Sequence, residues 1–557
     1  MLNTLRRSTV KLKHAFWHFP GHLIWVVFAY LPFLGRLSVP LTGDQKLYIA
    51  TAVEMRDHES WLKPLLFGQA SYFKPPMQYW ATLIGWKIFG FNLLGTLAPS
   101  VLCVVLTAWF LGEIATLLGE RRWFVNAGLW FAATVGALTY GTTAQMEIYL
   151  CAFSAASWWA GLKFLAAPSE TRNWKWIYLA FALAGASALI KSPLYSIFWV
   201  TGFVTYLLIS GEWLLFRQKH LYLANLLGMA LGLSWYVTIS LMDGQHFWAQ
   251  YALRENFEKS SGNQGTVISL WWALLYWCFP LTLLVFPSLR AAFRGRRTAS
   301  VLRFVICWCW PAAVFFSLYP YRIKPYLFIL VPALSVLVDW GYFRVGRTKF
   351  FRWSVKMTGA LMFVLFLLLA LVLFRAEIAP IWICEGLIVA GIMALICSQR
   401  DWMRGLILSG LASVFLFRAG GICLGEQDLA GLRASVASHP AAAVAMLDED
   451  HGIWHEAGLL SVALEKPIAR LQTADELSRF LQAGGLVALS DTQIAQFEPQ
   501  IVKNLQSQKE TRLLIQPWYR WKGRLKFPYK QLIFHGRSGV PDFDQLTHRQ
   551  FEILSLK

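Results

Sequence analysis

The sequence predicts a mainly α-helical, polytopic membrane protein that carries a small α/β domain at its C-terminal end. Three observations lead there. Apolar runs of spanning length recur from residue 22 to residue 422. Of the 557 residues, 57% are hydrophobic and only 15% charged, against about 25% charged in soluble domains. Beyond residue 423 the long runs give way to short apolar stretches and one amphipathic repeat, which suit a soluble fold.

Hydropathy places spanning helices near 22–39, 95–118, 124–141, 147–166, 175–191, 194–210, 221–241, 271–288, 302–318, 326–342, 354–374, 379–397 and 404–422, about thirteen in all. The basic start, Met1 to Phe19, precedes an apolar run with no small-residue cleavage site, so the first helix is expected to be retained. With the N-terminus in the cytoplasm, alternate loops on that side carry Arg6/Arg7, Arg121/Arg122, Arg217/Lys219, Arg344/Arg347 and Arg400/Arg404. That is the positive-inside pattern. Orientation therefore accounts for most of the net charge of +20, and no nucleic-acid partner is expected. The 28 Trp and 19 Tyr fit interfacial belts.

This division makes residues 1–423 a transmembrane domain with large external loops at 40–92 and 243–270. Residues 424–557 form an external, periplasmic domain. In it Ala442–Leu447 and Gly485–Leu489 read as buried strands. Thr473–Ala483 reads as an amphipathic helix with Ala474, Leu477, Phe480 and Leu481 on one face.

Polar chemistry concentrates on the external side. Thr42 and Gln45 have capping-box spacing, so a helix should start at Thr42 with Asp44 in its first turn and Tyr48 one turn on. Asp44 reads either as a dipole-stabilised surface acid or as a catalytic carboxylate. Lys74 stands before Pro75 and Pro76 on extended backbone; it reads either as a headgroup-snorkelling lysine or as a phosphate ligand. Glu147 lies at the outer end of a spanning helix, where a buried carboxylate needs a partner or water. Lys191, Arg322, Lys324 and Tyr326 lie in further outer turns, and Glu255, Asn256 and Lys259 in the second large loop.

Other chemistries are poorly served. There is no Walker A, Gly-x-Gly-x-x-Gly, Gly-x-Ser-x-Gly or His-Glu-x-x-His pattern. His451 and His455 have helical spacing but no further ligand cluster, and the eight cysteines lie in or beside apolar runs without zinc spacing. No metal site is expected from these residues.

Five segments in order resemble the lipid-A aminoarabinose transferase and protein O-mannosyltransferase superfamily, multi-pass glycosyltransferases of the GT-C type. Asp44-Gln-Lys-Leu-Tyr48 resembles Asp-Glu-x-Arg-Tyr. Lys74-Pro-Pro-Met-Gln-Tyr-Trp80 resembles Lys-Pro-Pro-Leu-x-Tyr-Trp. Leu189-Ile-Lys-Ser-Pro193 resembles Leu-x-Lys-Gly-Pro. Glu255-Asn-Phe-Glu-Lys259 resembles Glu-[His/Asn]-x-x-Arg, and the stretch from Phe316 through Lys324 and Tyr326 to Pro332 resembles a Phe-Ser…Lys…Tyr…Pro region.

The resemblance implies an inverting glycosyltransferase that takes its sugar from a polyprenyl-phosphate donor at the outer face of a bacterial inner membrane. The acceptor would be a lipid, glycan or protein, and membrane lipids would surround the site. It implies Asp44 as base and Glu147 as second acid. Lys74, Lys259 and Tyr326 would contact the donor phosphate; Lys191, Arg322 and Lys324, cations expected at the same outer face, are read as joining them there, and Tyr48, Glu255 and Asn256 as positioning substrate. The sequence departs from the family at Gln45 (a Glu there), Leu47 (an Arg), Asn256 and Lys259. Losing the acid at 45 weakens the case for a divalent cation between paired carboxylates, and points to a different sugar or acceptor. A transporter or flippase of a lipid-linked sugar is the alternative. It would require internal repeats or mid-membrane ionisable groups, and the sequence has no repeat.

Overall fold

Apolar helices set the architecture. The computed structural model describes residues 23–30, 43–66, 68–118, 127–252, 265–294, 299–375, 381–400, 405–412, 415–416, 443–447, 461–462, 464–471, 474–483, 486–490, 505–514 and 548–556. Helix α1 spans Leu23–Tyr30. The first loop holds α2 (Gly43–Asp57), a two-strand hairpin β1 (Leu65–Leu66) and β2 (Gln69–Ala70), and α3 (Met77–Phe89). The bundle continues with α4 (Leu93–Leu118), α5 (Ala127–Ala132), α6 (Val135–Gly141), α7 (Met146–Ala166), α8 (Lys175–Ala186), α9 (Pro193–Ile209) and α10 (Lys219–Trp248). It closes with α11 (Val267–Cys278), α12 (Thr282–Arg294), α13 (Ala299–Leu318), α14 (Val331–Val345), α15 (Lys349–Arg375) and α16 (Ile381–Gln399).

Among the described residues, seven helices are long and apolar enough to cross a membrane, and eight if the bent pair α11–α12 forms one span. The chain is a multi-pass membrane protein. Three expected spans differ in detail. The run at 124–141 breaks at Ala133–Thr134, where Thr134 Oγ1 accepts from Ala137 N at 3.1 Å and starts α6 afresh. The run at 271–288 is two helices bent by 99°. Pro280 falls in the break and has no N–H to continue the ladder. The run at 221–241 is longer than expected, so the first residues of the loop at 243–270 are still helical.

Packing depends on small residues and aromatics. A Cβ added to Gly185 of α8 would lie 2.0 Å from the carbonyl oxygen of Gly228 on α10, and one on Gly232 would lie 2.5 Å from that of Gly185. These glycines let two backbones meet, the usual way apolar helices associate in lipid. Trp158 of α7 stacks on Trp308 of α13 at 5.8 Å and meets Trp199 and Phe203 of α9 edge-on, so one aromatic layer joins three helices.

The C-terminal region is α/β. Strands β3 (Val444–Leu447), β4 (Ile468–Leu471), β5 (Leu486–Ser490), β6 (Leu505–Leu514) and β7 (His548–Leu556) form one sheet in the order β4-β3-β5-β7-β6. β3 runs parallel to both β4 and β5, with Val444 opposite Ile468 and Leu486, while β7 is antiparallel to β5 and β6. Helix α17 (Ala474–Gln482) joins β4 to β5 and buries Leu477 and Leu481, two of the residues its amphipathic spacing points inward.

Candidate functional site

Glu147 falls in the first turn of α7, where the helix dipole favours a carboxylate. Burial beside apolar helices still demands a counter-charge. Lys191 supplies it. Its Nζ donates to Glu147 Oε1 at 2.6 Å, and the lysine and glutamate side chains are 12% and 10% exposed. Lys191 reaches this position because α8 stops: its end tightens into a 3-10 turn at Ser187–Leu189, and α9 restarts with Pro193 in its first turn.

Aromatic rings wall the pair. The Lys191 ammonium lies 5.5 Å from the Tyr326 ring and 6.0 Å from the Tyr195 ring, within cation–π range. Tyr326 stacks on Phe316 at 4.4 Å. An ammonium has three donors and Glu147 takes one. The chemistry is that of a caged cation beside an acid, suited to an oxyanion.

Contacts tie other polar segments to this pair. Gln78, in the first turn of α3, donates from Nε2 to the Ala144 carbonyl at 2.5 Å, three residues before Glu147. Tyr79 beside it meets the Tyr48 ring edge-on at 6.3 Å, which brings α2 against α3. Tyr48 and Gln45 are buried while Asp44, one residue before Gln45, is exposed. α2 thus presents its first-turn acid to solvent and packs its tyrosine inward. Thr42, the expected cap, lies outside the described residues. Lys74 is half-buried on the turn before α3, ahead of two buried prolines.

The remaining expected residues part ways. Arg322 is spent on main chain: Nε and Nη2 donate to Ser317 O at 3.3 and 3.2 Å, and Nη1 lies 3.5 Å from Gly265 O and 3.4 Å from Pro320 O. It closes the end of α13 and clips on Gly265, two residues before α11, a use that its place among cations and tyrosines did not reveal. Lys324 is exposed, at the head of the 3-10 turn Lys324–Leu330. Glu255, Asn256, Lys259, His451 and His455 lie outside the described residues. Among the described residues, no group of three or more His, Cys, Asp or Glu side chains could hold a metal ion.

Two polar features escaped the sequence. Glu54 is buried and its Oε2 accepts from Gly68 N at 2.8 Å, pinning the hairpin turn to α2. Tyr72 is bonded to Asp243 and Gln250 near the end of α10. The available signals were Tyr72 next to the Lys-Pro-Pro stretch and an Asp-Gly pair near the end of an apolar run, neither specific alone.

Comparison with known proteins bears on this arrangement. The family model described as dolichyl-phosphate-mannose-protein mannosyltransferase matches residues 73–237, from the Lys74 turn to the far half of α10. The undecaprenyl phosphate-alpha-4-amino-4-deoxy-L-arabinose arabinosyl transferase of Pseudomonas aeruginosa is 25% identical over 319 residues, 55% of this chain and 56% of that protein. The protein of the same name from Photorhabdus laumondii is 23% identical over 375 residues, 64% of each chain. The crystal structure of ArnT from Cupriavidus metallidurans bound to undecaprenyl phosphate superposes with a TM-score of 0.61 and 19% identity, covering 84% of this chain and 92% of that one. The chain has the fold of that ArnT structure. The match to the two bacterial relatives spans less than two thirds of their length, and the range of the family model takes in the helices that carry Glu147 and Lys191.

Proposed function

We propose that the chain is an inverting glycosyltransferase that moves a sugar from a polyprenyl-phosphate donor to the hydroxyl of a lipid, glycan or protein acceptor. It would do so at the outer face of a bacterial inner membrane, with the N-terminus cytoplasmic. The observation that carries the reading is the buried Glu147–Lys191 pair walled by Tyr326 and Tyr195, tied through Gln78 to the Lys74 segment. The names of the relatives, arabinosyl transferases that use undecaprenyl phosphate, support the same donor class.

In this reading Asp44 takes the proton from the acceptor hydroxyl as its oxygen attacks the anomeric carbon. The bond from that carbon to the phosphate oxygen breaks, and its electron pair leaves on the polyprenyl phosphate. Phosphate is a good leaving group and needs no acid, so one exposed carboxylate suffices, unlike the paired carboxylates of glycosidases. Lys74, Lys191 and Lys324, with the Tyr326 hydroxyl, stabilise the charge that develops on the phosphate. Glu147 holds Lys191 in place and charged. Attack from the face opposite the phosphate inverts the configuration. A divalent cation has no step in this scheme, because Gln45 supplies no second carboxylate beside Asp44.

The test is transfer from an undecaprenyl-phosphate-linked sugar by purified protein. Asp44→Asn should lower the rate by about 10²- to 10⁴-fold, the worth of a general base. Its thermal midpoint should stay unchanged because the side chain is exposed. Undiminished transfer by Asp44→Asn would remove Asp44 from the mechanism.

A further inference from the structure

Helix α10 interrupts itself where an unbroken helix would have been easiest to bury in lipid. Asp243 has φ −153° and ψ 47°, non-helical values inside an otherwise helical run. An aspartate near the end of a spanning helix is costly unless it is used. The use is visible. Tyr72 Oη donates to Asp243 Oδ2 at 2.8 Å, and Tyr72 N donates to Gln250 Oε1 at 2.8 Å. Gln250 Nε2 in turn donates to the Ala70 carbonyl at 3.1 Å. His246 stands between, with Nδ1 3.6 Å from Asp243 Oδ2 and its ring 5.6 Å from that of Tyr72. Beyond the break at Asp243, Gln250 Nε2 meets His246 Nε2.

The Tyr72 ring is fully buried, against Trp235 and Phe247 at 6.4 and 5.6 Å. Burial, and then the bond to Asp243, push the Tyr72 hydroxyl upward in pKa, so it keeps the proton it donates. Two residues on comes Lys74, followed by Pro75 and Pro76. Those prolines offer no N–H, and the hairpin before them is only two residues per strand. The bonds at Tyr72 fix the main chain two residues upstream of Lys74.

We infer that Asp243, acting through Tyr72, is a positioning residue for the donor site: it sets where Lys74 meets the phosphate of the polyprenyl donor. Gln250 shares the task by holding the Tyr72 and Ala70 main chain. This rests on the proposed role of Lys74 at the donor phosphate, and the two are separable by experiment.

The experiment measures binding of undecaprenyl phosphate to the purified full-length protein in detergent. The variants are Lys74→Ala, Asp243→Ala, Asp243→Asn, Tyr72→Phe and Lys74→Ala/Asp243→Ala. Lys74→Ala should weaken binding by about ten-fold or more, and Asp243→Ala and Tyr72→Phe by about ten-fold each, the scale of a hydrogen bond to a charged group. Asp243→Asn keeps an acceptor oxygen and should bind within about two-fold of the parent. The double variant should bind no more weakly than Lys74→Ala alone, because a residue that works through Lys74 has nothing left to position. A purely structural Asp243 would instead add its effect to that of Lys74→Ala, and additivity overturns the inference. Parent-like binding by both Asp243→Ala and Tyr72→Phe, with Lys74→Ala weakened, overturns it while leaving the site reading intact. Parent-like binding by Lys74→Ala overturns the phosphate role of Lys74 itself. If Asp243→Ala does not fold, Tyr72→Phe replaces it in the single and double variants.

Discussion

Helix α8 has an ion pair at each end, and the two pairs are built differently. Just before it, Arg172 grips Glu212 with both ends of its fork, at 2.8 and 2.7 Å, with side chains 12% and 30% exposed. Just after it, Lys191 holds Glu147 through one bond inside a wall of tyrosines. The Arg172 pair is self-contained: planar fork meets planar carboxylate, and little bonding capacity is left over. Its guanidinium lies 5.4 Å from the Phe164 ring, within cation–π range. The Lys191 pair joins a point charge to one carboxylate oxygen, in a place where desolvation is expensive. Structural pairs saturate themselves, whereas a buried point charge walled by rings is suited to a third, anionic party.

Removing one partner from each pair should separate them most sharply. Glu147→Ala leaves an uncompensated buried ammonium and should cost about 3–5 kcal/mol, read as a large fall in thermal midpoint, together with loss of transfer. The double variant Glu147→Gln/Lys191→Met should regain most of the midpoint, since no charge is left stranded, yet stay inactive. Recovery of transfer in that double variant would show the pair to be structural after all, like its counterpart.

Next in size comes the contact that sets both ends of α8 in register. A Cβ at Gly228 would lie 2.4 Å from the Phe181 carbonyl oxygen, so Gly228→Leu must push α8 and α10 apart. It should destabilise by about 1–3 kcal/mol and weaken both pairs' surroundings together. An unchanged midpoint would mean that the two helices do not pack through these glycines.

The smallest effect belongs to the Arg172 pair. Glu212→Gln should cost no more than about 1 kcal/mol and leave transfer within two-fold of the parent, on the order of a surface substitution. The hydrogen bond from Arg172 holds the Glu212 carboxyl below its ordinary value. Its pairing therefore stabilises fully above the unfolded carboxylate pKa, about 4.3, and is lost as pH falls through the lowered folded value. In melts the gap between parent and Glu212→Gln should begin to shrink below about pH 4 and close once the pH is under the lowered folded value; a gap that persists into strong acid would deny the ion pair its role.

Much of the frame was legible early because it follows from composition and periodicity. Apolar runs locate spans whatever they pack against, and the amphipathic spacing of Leu477 and Leu481 located α17. The breaks were less legible. Pro280 and Thr134 are both visible in the runs they interrupt, yet a hydropathy window averages over a single residue and reads one helix where there are two. At the site, Asp44, Lys74, Glu147 and Lys191 stood out because each is a charge at the edge of an apolar run. Arg322 stood out for the same reason and proved to be turned onto carbonyls. Charge at a boundary says only that a group will be bonded, and carbonyls compete with ligands for the same donors.

The sequence by itself determined the membrane class, the α/β character of the C-terminal region and the residues that had to find partners, because hydrophobic transfer and the cost of burying charge depend on local composition. The tertiary structure alone decided who those partners are. Glu147 and Lys191 are 44 residues apart, and Tyr72 and Asp243 are 171 apart. No spacing rule spans such distances, since what brings these groups together is the close approach of helices that share only shape.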